Sequence, residues 1–232
     1  MGIRRFLPVA CFAFAMAYLE AAVVVYLRRL FGVVEPWRDA GIFDPSLAAV
    51  EIGREAATLA MLITLGWACG RNLQSRLGFS LFAFGVWDIF YYVWLKVLLD
   101  WPASILTPDI LFLIPLPWWG PVITPILIAL LMAAAGGVGI VLDDRGRAVR
   151  PRAFDMAFLA AGILLVLYAF MGDAIAALPA TAETLARVRP AGFRWGIYGA
   201  GLLLMTASIA RPLAAAAGPE PARAIGRPCC GS

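Results

Sequence analysis

Six stretches of about 20 residues, each nearly free of charge, occupy most of this 232-residue chain. They run approximately Phe6–Arg28, Ile52–Gly70, Leu77–Leu99, Pro121–Leu142, Phe154–Met171 and Phe193–Ile209. A hydrocarbon layer about 30 Å thick takes roughly 20 apolar residues of helix to cross. Only structures that satisfy their own backbone, helices above all, survive there. The pattern therefore predicts an all-α integral membrane protein, a bundle of six transmembrane helices over residues 1–212 with a disordered cytoplasmic tail over 213–232. A count of five is the alternative, because the fifth stretch is short and begins with Asp155. Composition agrees: 62% of residues are hydrophobic and 15% charged, with a mean hydropathy of +0.85, outside the range of soluble domains.

Arginine placement predicts the topology. With the N-terminus inside, eleven arginines fall on the cytoplasmic side, including Arg145, Arg147, Arg150 and Arg152 in one short loop, against six outside. Both termini are then cytoplasmic, and the apolar run after Arg4 and Arg5, which continues past Glu20 to Tyr26, reads as a retained first helix rather than a secretory leader. The net charge of +4 reflects this topology. No basic stripe interleaved with aromatics points to nucleic acid. An arginine- and alanine-rich composition suggests a GC-rich bacterial genome and thus a bacterial inner membrane.

The chain has no histidine. That excludes His-ligated haem, His-based zinc sites and nucleophilic catalysis through a Ser-His or Cys-His pair. No cofactor or metal is indicated. Cys11 and Cys69 fit apolar packing, and the vicinal Cys229 and Cys230 at the end of the tail lack the further ligands a metal site needs.

Chemistry, if any, is concentrated in the first three helices. Asp88, Tyr91, Tyr92 and Lys96 stand at i, i+3, i+4 and i+8, on one helical face, and Lys96 is the single lysine beside 18 arginines. Glu20 lies mid-way along helix 1. Glu51, Arg54, Glu55 and Thr58 share a face of helix 2. By helical rise, Glu20 and Asp88 lie roughly 12–17 Å below the outer boundary, and Glu55 and Lys96 roughly 5 Å. Ionisable groups at such depth are costly and face protein or water, so they need partners. The expectation is an outward-facing polar pocket lined by Glu20, Glu51, Arg54, Glu55, Asp88, Tyr91, Tyr92 and Lys96, with Arg54 and Lys96 as the cations.

Between helices 3 and 4, Thr107-Pro108-Asp109 has the form of a helix start, and the apolar run after it is too short to span. This predicts a short interfacial or re-entrant helix, then a rigid elbow at Pro117-Trp118-Trp119-Gly120-Pro121. Trp101, Asp109, Trp118 and Trp119 form a candidate lid. The three tryptophans also suit an aromatic belt at the outer interface.

Small residues recur every fourth position: Ala13, Ala17 and Ala21; Ala129, Ala133 and Gly137; Gly192, Gly196 and Ala200. Such ridges let helices approach closely, within the chain, in a homo-oligomer or against partner membrane subunits. In size, six spans, inside termini and an outward pocket, the chain is similar to the substrate-capture subunits of energy-coupling-factor importers. The alanine ridge of helix 1 is similar to the surface those subunits offer their transporter. The resemblance implies capture of a small solute, although no substrate motif is matched.

Three function classes follow: solute capture or transport, or proton or cation movement, through the polar cluster; a non-catalytic anchor or assembly subunit whose charges form a structural salt-bridge network; and, last, a histidine-free membrane enzyme, for which neither paired DxxD acids nor a phosphate-cradling glycine loop is present.

Overall fold

The computed structural model describes residues 3–32, 45–179 and 192–218. Six helices form: α1 (Ile3–Phe31), α2 (Pro45–Cys69), α3 (Leu73–Leu99), α4 (Ile123–Asp144), α5 (Ala153–Ala176) and α6 (Trp195–Ala217). Each covers one of the apolar stretches. Five are long and apolar enough to cross a membrane. The one that falls short is α2, not the fifth helix: Glu51, Arg54 and Glu55 lower the hydropathy of its first half. The fifth stretch extends to 24 residues. The sixth continues through Pro212 to Ala217, beyond the boundary expected at residue 212. The tail from 219, with Cys229 and Cys230, lies outside the described residues.

Between α3 and α4 the expectation of a short helix is wrong. Residues Pro108–Phe112 (β1) and Trp118–Pro121 (β2) pair as an antiparallel hairpin. Pro108 faces Pro121, Asp109 faces Gly120, Ile110 faces Trp119 and Phe112 faces Trp118, with a bulge between Ile110 and Phe112. Three features override the helix-start signature. Pro115, Pro117 and Pro121 bias the residues before them toward extended backbone. Ile, Phe and Trp suit a pleated surface. Five apolar residues are too few to sustain a helix. The Trp118 Nε1 donates to the Ile114 carbonyl at 2.9 Å and ties the turn.

α3 is the hub, in contact with α1, α2 and α4, while α5 pairs with α6 and α4 links the two groups. The α3–α4 contact is backbone against backbone. A Cβ on Gly85 would stand 2.3 Å from the Ala129 carbonyl oxygen, and one on Gly136 2.4 Å from that of Gly78. Only glycine permits this approach. Gly162 and Gly201 do the same between α5 and α6.

The small-residue ridges are therefore mostly consumed inside the chain. Ala129 and Ala133 face Gly85. Ala13, Ala17 and Ala21 are all fully buried, the first two packed with Phe79, Ala83 and Trp87, the third with Tyr92 and Leu95. The ridge likened to a transporter-docking surface is covered by the chain's own α3. Gly192 and Gly196 alone keep open space around them among the ridge glycines that have no neighbour within 4 Å.

The hairpin fills the seam between two cores. Phe112 packs on the core built by α1 and α3 around Trp87. Leu111 and Trp118 pack on the α5–α6 core, where Trp118 stacks on Phe170 at 5.8 Å and 13°. At the opposite end, Asn72 caps α3 through Ser75 and donates to Asp143 at 2.6 Å. Gln74 there bonds Gly139, Arg147 and Val149 backbone, and Arg147 donates to the last carbonyls of α6 at Ala216, Ala217 and Gly218. These bonds satisfy helix ends that have no partner within the helix.

Candidate functional site

The end of the molecule that carries the hairpin gathers most of the sequence-predicted polar residues, in two groups. The first joins α1 to α2. Arg54 forms an ion pair with Glu20 and holds Glu51 with two further contacts, Nε at 2.9 Å and Nη2 at 2.7 Å. Thr58, one turn deeper, donates to both oxygens of Glu20 at 3.2 and 3.4 Å. Glu20 and Thr58 are buried, at 9% and 1% exposure. The spacing that puts 51, 54, 55 and 58 on one helical face thus delivers one cation and one hydroxyl to the acid of the neighbouring helix.

The second group joins α1, α2 and α3 to the hairpin. Glu55, buried, accepts the Leu113 N–H on both carboxylate oxygens at 3.0 and 2.9 Å. That amide lies just past β1, where the ladder has ended, so the carboxylate takes the place of a strand partner. Tyr92 donates its hydroxyl to Asp109 Oδ2 at 3.2 Å. Asp109 is 3% exposed. Burial pushes its carboxyl up to about 6, while the Arg28 charge, the Ile110 N–H and the Tyr92 hydroxyl pull it back.

Asp88 is the exception. Among the described residues it makes no hydrogen bond and no ion pair, and the charge that bears on it is Asp109, of the same sign. Tyr91, one turn on, stacks against Trp87 at 6.3 Å and meets Tyr92 edge-on at 5.1 Å.

Lys96 is not in the cluster, contrary to the expectation. Its side chain is 51% exposed and pairs with Asp100 at 2.7 Å. Its ammonium also donates to the carbonyls of Asp100 and Pro102 at 3.3 and 3.2 Å. Lysine suits the C-terminal end of a helix dipole, and four positions from the end of α3 its flexible stem reaches that end more readily than the interior. Asp100, at the left-handed C-cap with φ of 52°, is held below the usual carboxylate range by the Lys96 ammonium.

The second cation of the site is instead Arg28, the residue expected to close helix 1 at the outer boundary. It is 7% exposed, and its guanidinium lies 4.0 Å over the Trp101 ring, a cation–π contact. The signal was present: Ala17, Ala21 and Arg28 lie on the buried face of α1 at helical spacing. Trp101 lies under Arg28, Trp118 lies on Phe170, and Trp119 is 4% exposed. Of the candidate lid residues, Asp109 makes the polar contact to the helices.

Five carboxyls (Glu20, Glu51, Glu55, Asp88, Asp109) thus gather around two guanidinium groups, Arg28 and Arg54, while Asp173 and Arg194 form a separate ion pair at 2.6 Å between the end of α5 and the start of α6. No group of three or more potential metal-ligating side chains is assembled among the described residues. A cavity of about 10 Å³ lies at the opposite end, among Arg5, Cys69, Arg71, Ser75, Phe79, Ile140, Asp143 and Asp144, room for about one water molecule. Compared with known protein families, with characterised proteins and with solved structures, the chain matches none.

Proposed function

We propose that this chain is a polytopic membrane protein, both termini cytoplasmic, whose outer end takes up a proton through Asp88 as part of small-solute or cation movement. One observation carries the reading: Asp88 stands unpaired beside a second acid. An ionised carboxyl in an apolar surrounding without a partner neutralises rather than persists. Two carboxyls close together cannot both ionise cheaply, so the pair holds a proton. The acids around it are already committed, Glu20 and Glu51 to Arg54, and Glu55 to a backbone amide. Asp88 is left to exchange.

The test is proton movement in proteoliposomes carrying a trapped pH dye, under an imposed potential. Wild-type protein should move protons, and Asp88→Asn should reduce this at least tenfold while Lys96→Met leaves it unchanged. Equal rates for wild type, Asp88→Asn and empty vesicles reject the reading.

A second reading, an anchor or assembly subunit of a larger complex in the same membrane, is favoured by the internal pairing of the other charges and by the open space around Gly196 on α6. Stoichiometric co-purification of membrane partners, lost in Gly196→Leu, would support it.

A further inference from the structure

We propose that the β1–β2 hairpin is a lid that seats over the Asp88 turn of α3 when the Asp88–Asp109 pair holds a proton, and lifts when both acids are ionised. The inference rests on the reading of Asp88 as a proton-exchanging group.

The attachment of the hairpin is unequal on its two sides. β2 runs directly into α4 and is fixed by apolar contact, Trp118 on Phe170 and Gly120 pressed so near that ring that a Cβ would stand 2.9 Å away. β1 also reaches the α5–α6 core through Leu111, but its contacts with α1, α2 and α3 are of a different kind. Asp109 meets Tyr92, Glu55 meets the Leu113 amide, and Phe112 packs on the core that contains Trp87. Trp87 immediately precedes Asp88. The hairpin therefore lays one acid against a helix turn bearing another. With both charged, Coulomb repulsion in a poorly hydrated seam opposes seating. With one neutral, the opposition is gone and the Tyr92 hydrogen bond and Phe112 packing remain.

The other groups facing this seam do not supply the same switch. Arg28 from α1 and Arg54 from α2 stay charged, and Tyr91 and Tyr92 of α3 stay neutral, between pH 5 and 8. Glu20 and Glu51 are bound to Arg54. Glu55 accepts the Leu113 amide more strongly when ionised than when neutral, so its titration would act in the opposite sense, tightening the hairpin as the pH rises. The direction follows from burial: a carboxyl raised by its seated surroundings, as Asp109 is, binds its proton more tightly seated than lifted. Acid therefore closes the lid and alkali opens it. A proton arriving from outside would shut the door behind itself.

Hydrogen exchange of the purified full-length protein, corrected for the intrinsic effect of pH, reads the lid at the amides of residues 109–113. Raising the pH from 5 to 8 should speed their exchange at least tenfold and leave α5 and α6 unchanged. Asp88→Asn and Asp109→Asn should each hold the hairpin slow at pH 8, and Glu55→Gln should keep the pH response. A hairpin equally protected at both pH values in the wild type overturns the proposal. So does a response that survives Asp88→Asn and Asp109→Asn, or one that vanishes only in Glu55→Gln. Should Asp88→Asn not fold, as judged by exchange in α5 and α6, Asp109→Asn decides alone. A lid that responds to pH in a protein that moves no protons would reject the function and keep the lid; protons moved past an unresponsive hairpin would do the reverse.

Discussion

Replacing Arg54 by methionine separates a charge network that holds helices together from charges that merely happen to be close. Methionine keeps the length of the side chain and removes its cation. Glu20 would then keep only the Thr58 hydroxyl, at 3.2 Å, in a setting where it is 9% exposed. Removing one partner of a buried pair costs about 3–5 kcal/mol, mostly the penalty of the charge left behind. The lower figure applies, because the Arg54 side chain is 23% exposed. About 3 kcal/mol, at about 2–4 °C per kcal/mol for a chain of this length, lowers Tm by roughly 6–12 °C. The double variant Glu20→Gln/Arg54→Met removes the Glu20 charge together with its partner and keeps an acceptor for Thr58, so it should recover much of that loss, with a coupling of about 1–3 kcal/mol. Thermal unfolding in detergent, followed through the eight tryptophans, measures both. If Arg54→Met melts within about 2 °C of wild type, or the double variant falls by the sum of the singles, the argument that Arg54 neutralises Glu20 is wrong.

Lys96→Met should lower stability by less than about 1 kcal/mol, the range for an exposed pair at a helix end, whereas a lysine inside the acid cluster would cost several times more; the same melting assay decides. Gly85→Ala should part α3 from α4 and cost about 1–3 kcal/mol or more by overpacking, while Gly196→Ala, with open space around it, should be neutral; equal melting points would contradict the close approach. Tyr92→Phe removes a donor from a buried acid and should cost about 1.5–3 kcal/mol at neutral pH. Stability of the wild type should fall as the pH rises from about 4 to 6, because the native Asp109 holds its proton more tightly than the unfolded one, and Asp109→Asn should flatten that slope in pH-dependent denaturation.

Helix number and placement were legible because hydrophobic length is a strong, local signal. The acids of α1 to α3 were legible for the complementary reason: ionisable groups in apolar stretches have few places to go. What sequence could not rank was competition between partners. Lys96 sits on the same face as Asp88, yet the free carbonyls at the end of α3 lie within its reach and hold it there. Arg28 closes an apolar run, where an arginine ordinarily reaches water; only the contact of α1 with α3 shows that its face is the buried one. The hairpin was missed because Thr-Pro-Asp is a local helix signal, and the prolines after it, which decide against a helix, act through backbone geometry rather than hydropathy. Likewise, the four-residue spacing of small side chains announces close contact but not with whom, and α3 claims most of it.

The position of the hairpin in the chain has a consequence for how the protein is made. Glu20, Arg28, Arg54, Glu55, Thr58, Asp88, Tyr92, Asp109 and Leu113 all precede α4. The charged partners of this cluster are therefore synthesised before the second half of the molecule exists, and its acids need not wait unpaired in the membrane while α5 and α6, with their own pairs Asp155–Arg211 and Asp173–Arg194, are added. What the later helices bring is Phe170, the surface on which Trp118 comes to rest. For the hairpin, assembly is ordered by chemistry: the charges around it are matched first, and the aromatic seat that fixes it arrives last.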